Sequence, residues 1–259
     1  MGDNTFRKVL RALLGRSRTW DELTAICGDE NKLRTLLRYL QAGGIADESE
    51  DCWTKGPQCD HIDNTGHTVE WYIAEWFRRE LGEPARHGVA LQEVPRGGDL
   101  DVVAFDNDIR VMVECKTGKP EHISELHARW FLQRAYDFDP EVAILLIDTE
   151  SPIVAAATLV QRVYNHMSAL EHGEEMPHEP TLLEVPGHRG VYWCARNVFV
   201  TNTPDSIDAA LSRVLRWYHA YVRHQQFARP TGQWDYIAGT VENPRAEPLA
   251  VTGQEWIPF

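Results

Sequence analysis

Asp99, Asp101, Glu114 and Lys116 stand at the outer ends of two apolar stretches in GGDLDVVAFDNDIRVMVECKTGK (97–119), where the rest of the run has the composition of a buried sheet. Successive strand residues point to opposite faces, so Glu114 and Lys116 share a face about 7 Å apart while Cys115 looks the other way. Asp99 and Asp101 share a face in the same manner. The turn decides whether the two pairs meet. A two-residue loop at Asn107-Asp108 sets Asp101 opposite Glu114 and Asp99 opposite Lys116. A three-residue loop sets Asp101 opposite Val113 and splits the carboxylates across the sheet. Asn at the first loop position tolerates a positive φ, which favours the shorter loop.

In that register two carboxylates lie about 5 Å apart on neighbouring strands and repel. Apolar surroundings raise the cost, and a bound cation removes it. Asp101, Glu114 and the backbone carbonyl of Cys115 are hard oxygen ligands of the kind Mg2+ or Mn2+ takes, with water filling the remaining positions. A metal-bound water becomes a nucleophile at neutral pH, and the same metal stabilises charge on a phosphate. Lys116 is placed to hold that water or to stabilise the transition state. These residues predict phosphodiester hydrolysis.

Several elements must position such a site. HTVEWYIAEWFRRELG reads as a helix with Val69, Tyr72, Ile73, Trp76 and Phe77 at core spacing and Gly82 as terminator. ALQEV (90–94) is an expected strand before the hairpin. After Lys116 come a helix over about 121–137, the strand VAILLID (142–148), a helix over about 151–170, the strand VYWCARNVFVT and a helix over about 205–225. This order predicts an α/β domain with a mixed sheet flanked by helices. Trp71, Trp76 and Trp130 are expected in its core.

The first 58 residues are organised differently. Phe6, Val9, Leu10, Leu13 and Leu14 mark one helix. Thr19 with Glu22 forms a capping box before WDELTAIC, and NKLRTLLRYLQAG carries Leu33, Leu36, Leu37 and Leu40 on one face. A short acidic hairpin follows. TWDELTAICGDENKLRTLLRYLQAGGIADES resembles a winged helix-turn-helix, in which the third helix enters the DNA major groove. That resemblance makes Lys32, Arg34 and Arg38 the expected DNA contacts.

Over about 66–150 the chain resembles the PD-(D/E)xK, or restriction-endonuclease-like, superfamily, whose Mrr-like members act in restriction and defence. Asp101 matches its Asp, VECK (113–116) its second element and Glu70 its helical Glu; Leu100 replaces the proline of the name. The resemblance implies that Asp101, Glu114, Lys116 and Glu70 are catalytic, that Glu70 joins the metal ligands, and that Gln133 in the following helix contributes. Asp-x12-Glu-x-Lys alone is a weak pattern, and its weight comes from the helices and strands around it. The expected function is a Mg2+-dependent DNA endonuclease. The alternatives are a DNA-binding regulator keeping the nuclease fold for dimerisation, or a nuclease acting on RNA or branched DNA.

The expected organisation is a winged helix-turn-helix over 1–58, a linker over 59–66, a nuclease domain over 67–225 and a C-terminal extension over 226–259. Residues 60–259 are expected to fold and cut alone, and 1–58 to bind duplex DNA weakly. The net charge of −13 opposes phosphate binding, so Lys116, Lys119, Arg129 and Arg134 are expected to gather at the cleft. Arg7, Lys8, Arg11, Arg16 and Arg18 face only Asp3 in the first 18 residues and soften that objection. A homodimer through the aromatic helix 213–221 would place two sites on one duplex. Five scattered cysteines suggest no disulfide framework, and Cys52, Cys59, His61 and His67 lack a usual zinc spacing. With neither a secretory signal nor a long apolar run, a cytoplasmic location without membrane contact is expected.

Overall fold

The computed structural model describes residues 3–59, 66–90, 99–172 and 182–222. Its first unit packs helices α1 (Asn4–Gly15), α2 (Trp20–Cys27) and α3 (Glu30–Ala42) against a small antiparallel sheet of β1 (Arg18–Thr19), β2 (Ala46–Ser49) and β3 (Cys52–Lys55). Thr19 accepts from the Glu22 amide while the Glu22 side chain accepts from the Thr19 amide, the reciprocal cap expected from the sequence. Val9, Leu13, Leu23, Leu33, Leu37, Leu40 and Trp53 close this core. A short 3-10 turn, Pro57–Cys59, ends the unit. The expected linker beyond Cys59, with His61 of the zinc alternative, and the expected extension over 226–259 lie outside the described residues.

The second unit is a mixed seven-stranded sheet flanked by helices. In chain order it comprises α4 (Gly66–Glu80), β4 (Ala85–Ala90), β5 (Asp99–Asp106), β6 (Ile109–Thr117), α5 (Glu125–Phe138), β7 (Val142–Asp148), α6 (Val154–His172), β8 (Leu183–Glu184), β9 (Val191–Ala195), β10 (Val198–Asn202) and α7 (Ile207–Trp217). The spatial order is β4-β5-β6-β7-β10-β9-β8, with β6, β7 and β10 parallel at the centre and antiparallel pairs on either side. Val142–Asp148 is buried at every position, as a central parallel strand covered on both faces must be. Val69, Ile73 and Phe77 of α4 and Leu211 and Val214 of α7 cover one face. Phe131 and Leu132 of α5 and Ala157 and Val160 of α6 cover the other.

Two expectations change. VYWCARNVFVT is two strands, because Arg196 takes a positive φ of 22° and turns β9 back into β10, with Ala195 opposite Val198. The strand expected at 90–94 begins earlier: β4 is Ala85–Ala90, and 91–98 lies outside the described residues. In the helix named for dimerisation, Val214, Leu215 and Tyr218 are buried in the sheet core. Among the described residues no helix is long and apolar enough to cross a membrane.

The two units are joined by charge as well as by chain. Arg7 of α1 donates from Nε to Asp148 Oδ1 at 2.9 Å and from Nη2 to Thr203 Oγ1 at 3.1 Å, with Arg7 and Asp148 both buried. Arg11 donates to Asp148 Oδ2 at 2.6 Å, and Lys8 pairs with Glu150. Arg16 and Arg18 pair with Glu22. The N-terminal basic cluster is therefore engaged by the protein's own carboxylates.

Candidate active site

The hairpin closes through Asn107 and Asp108, both at positive φ (47° and 70°), the pair of left-handed residues that a two-residue type I′ turn requires. The shorter loop sets the register: Asp106 faces Ile109, Ala104 faces Val111 and Val102 faces Val113. One more step would bring Asp101 opposite Glu114, but the regular ladder stops at Val102. On its other side β5 skips the pair between His87↔Val102 and Val89↔Leu100, where Gly88 has φ 59°. Leu100 packs in the α5/α6-side core and Val102 in the α4/α7-side core, so strict alternation is broken across Asp101. The freed carboxylate reaches sideways, and its Oδ2 accepts from the Cys115 amide at 2.7 Å.

Glu114 points into the α5/α6 side and is 2% exposed. Its Oε1 accepts from Lys116 Nζ at 2.7 Å and from Arg134 Nη2 at 2.9 Å. A buried carboxylate needs such pairing, and two cations on one oxygen hold it rigidly. Arg134 comes from α5 and also donates from Nη1 to the Asp99 carbonyl at 3.1 Å, tying the helix to the ends of β5 and β6. Lys116 remains one-third exposed and so faces both Glu114 and solvent.

Glu70 enters from α4, buried although it lies on a helix otherwise packed by apolar residues. Burial, then the charge of Glu114, pushes the Asp101 carboxyl up to about 7; the Cys115 amide and Lys116 oppose the shift, and Glu70 adds to it. The Cys115 thiol is buried, and burial followed by the charges of Asp101, Glu70 and Glu114 pushes it well above the ordinary thiol range. Its backbone rather than its sulfur serves the site. The structure thus brings Asp101, Glu114 and Lys116 together, while Glu70 meets His67 Nδ1 at 3.3 Å and bears on Asp101 and Cys115 through its charge alone.

Gln133 is not brought in. It is exposed and donates to Asp137 Oδ1 at 3.0 Å along the outer face of α5, while Arg134, one residue on, turns toward Glu114. An error of one residue moves a side chain about 100° around a helix. Arg129 of the expected basic group pairs with Glu125. Of the expected DNA contacts, Lys32 is held by Asp3 and Thr5, Arg34 lies over the Trp20 ring at 4.9 Å, and Arg38 is exposed. Trp76 is buried as expected, whereas Trp71 and Trp130 are 43% and 48% exposed.

Among the described residues no three His, Cys, Asp or Glu side chains converge on a metal ion. The donor chemistry suits a cation that needs one or two carboxylates and keeps its waters, as Mg2+ does.

No protein-family model and no curated protein matches the chain. The chain is similar to the crystal structure of protein VC1899 from Vibrio cholerae, with 13% identity and a TM-score of 0.41 over 83% of this chain and 52% of that one. The chain thus spans about half the length of that protein, and the likeness is too distant to transfer a fold family or an activity.

Proposed function

We propose that the chain is a Mg2+-dependent endonuclease of the PD-(D/E)xK type, with the N-terminal unit as a winged helix-turn-helix beside it. What carries this reading is the break in β5 at Asp101. A strand gives up regular pairing on both sides to hold one carboxylate against the amide beside a second, buried carboxylate, in a region where two acids raise each other's energy.

Asp101, Glu114 and the Cys115 carbonyl would hold the metal, with Glu70 behind them. When bound, Mg2+ supplies a water of lowered pKa and charge stabilisation on the phosphate. The protein's own groups do the rest. The Cys115 amide orients Asp101, and Arg134 fixes Glu114. Lys116, with one ammonium face on Glu114 and another open to solvent, stabilises the charge that builds on the phosphate oxygens. Contact between α3 and DNA rests on Arg34 and Arg38, since Lys32 is engaged by Asp3.

Incubation with single-stranded DNA, duplex DNA and RNA, each with EDTA, Mg2+ or Mn2+, tests the reading. Divalent-dependent cleavage is expected from the wild type, falling by at least about 100-fold in Lys116→Ala, the scale of losing one transition-state charge contact. A wild type that cleaves none of the three with either metal contradicts it.

A further inference from the structure

We infer that Trp130, backed by His127, is a stacking platform for an unpaired nucleobase beside the Asp101/Glu114/Lys116 site, and that single-stranded nucleic acid is therefore the substrate class. This rests on the nuclease reading and adds to it the part of the substrate that the site grips.

The direction of α5 carries the argument. Its core face is Ala128, Phe131, Leu132 and Ala135. His127, Trp130 and Arg134 stand three and four residues apart and form one row beside that face. Arg134 settles where the row looks, because its guanidinium reaches both Glu114 and the Asp99 carbonyl while its Nε donates to the Trp130 carbonyl at 3.4 Å. Trp130 is thus displayed one turn from a side chain bonded to the buried carboxylate. Its indole is nearly half exposed, and the His127 ring stands 6.1 Å away, tilted by 59°.

Single exposed apolar residues are ordinary on protein surfaces, and Trp71 is another. Trp71 stands in the outer row of Glu75 and Arg78, where Glu75 bonds Arg78 and Arg79, one turn on from His67, which meets Glu70. Trp130 differs in its setting. Lys119 is exposed just before the same helix, and Lys116, one-third exposed, stands at the neighbouring site. Cations that follow a phosphate backbone next to an aromatic face are the combination that binds unpaired strands without sequence preference. In a duplex the base faces are stacked on one another and cannot meet the indole.

Binding is read by anisotropy of an end-labelled single-stranded oligodeoxynucleotide, an abasic strand of equal length and a duplex, with full-length protein in EDTA so that nothing is cut. The base-bearing strand is expected to bind at least about fivefold more tightly than the abasic one, the lower end of a single base–aromatic stack. Trp130→Ala should remove that difference, while Trp130→Phe and Trp71→Ala should keep it. Thermal melting checks that Trp130→Ala is folded. Equal binding of the base-bearing and abasic strands by the wild type, full discrimination by Trp130→Ala, or tighter binding of duplex each overturns the platform, and each leaves divalent-dependent cleavage as a separate result. Failure to bind any strand, together with no cleavage in Mg2+, overturns both readings.

Discussion

Asp101 titrates near neutrality because burial and Glu114 disfavour its charge, and this has a sign. A carboxyl raised from its ordinary value near 4 to about 7 binds its proton more tightly in the folded chain than in the unfolded one. Its contribution to stability is present below about pH 4 and is lost as the pH rises through 7. Asp101→Asn keeps an acceptor for the Cys115 amide and removes the titration. In EDTA the variant should be more stable than wild type at pH 8, by on the order of 4 kcal/mol, and the gap should narrow as the pH falls through 7 and close below about pH 4. Arg134 gives a second prediction as a positioning residue. Arg134→Ala leaves Glu114 with Lys116 alone, so it should cost about 1.5–3 kcal/mol of stability and lower kcat more than KM. Arg134→Lys should restore part of kcat, and Gln133→Ala should match wild type in both. Glu114 and Lys116 were legible from spacing because strand alternation has a period of two, whereas Asp101 stands where β5 departs from that alternation. Arg134 was legible only as a charge, since helix phase cannot be told to within one residue without the packing of Phe131 and Leu132.

Among the elements, the β5–β6 hairpin was the most legible. Asn107-Asp108 allows left-handed backbone at both positions, and the structure has it there. Replacing Asp108 with Gly should stabilise the hairpin by about 1 kcal/mol, since Gly takes a positive φ at no steric cost. Gly88 makes the opposite case. Its φ of 59° sits at the gap in the β4–β5 ladder beside Asp101, so Gly88→Ala should cost about 1–2 kcal/mol and also lower cleavage by disturbing that carboxylate. Denaturant titration alongside the cleavage assay separates the two effects. The β9–β10 turn was hidden because Arg196-Asn197 carries neither Gly nor Pro and is flanked on both sides by strand-forming residues.

At the scale of the whole molecule the sequence divides into a helical unit and a sheet unit, and the structure fastens them at the carboxyl end of β7. Asp148 is buried beneath Arg7 and Arg11 of α1, one strand over from Thr117 at the end of β6. Among the described residues, the span from 60 onward would keep Asp148 with Thr203 and no cation, so this truncated chain is expected to be unstable rather than independently active. Arg7→Ala in the full chain should cost about 3–5 kcal/mol, the scale for breaking a buried ion pair. No pattern in FRKVLRALL announces that its arginines turn inward, because the partner lies 141 residues away. The central claim is that Asp101 and Glu114 form one metal-dependent hydrolytic site. Single-turnover cleavage of labelled single-stranded DNA across a Mg2+ titration, with wild type, Asp101→Asn and Glu114→Gln side by side, tests it most directly. Saturable Mg2+-dependent cleavage by the wild type, with both variants folded and nearly inactive, is the predicted result; cleavage by either variant at the wild-type rate and the wild-type Mg2+ midpoint contradicts the account.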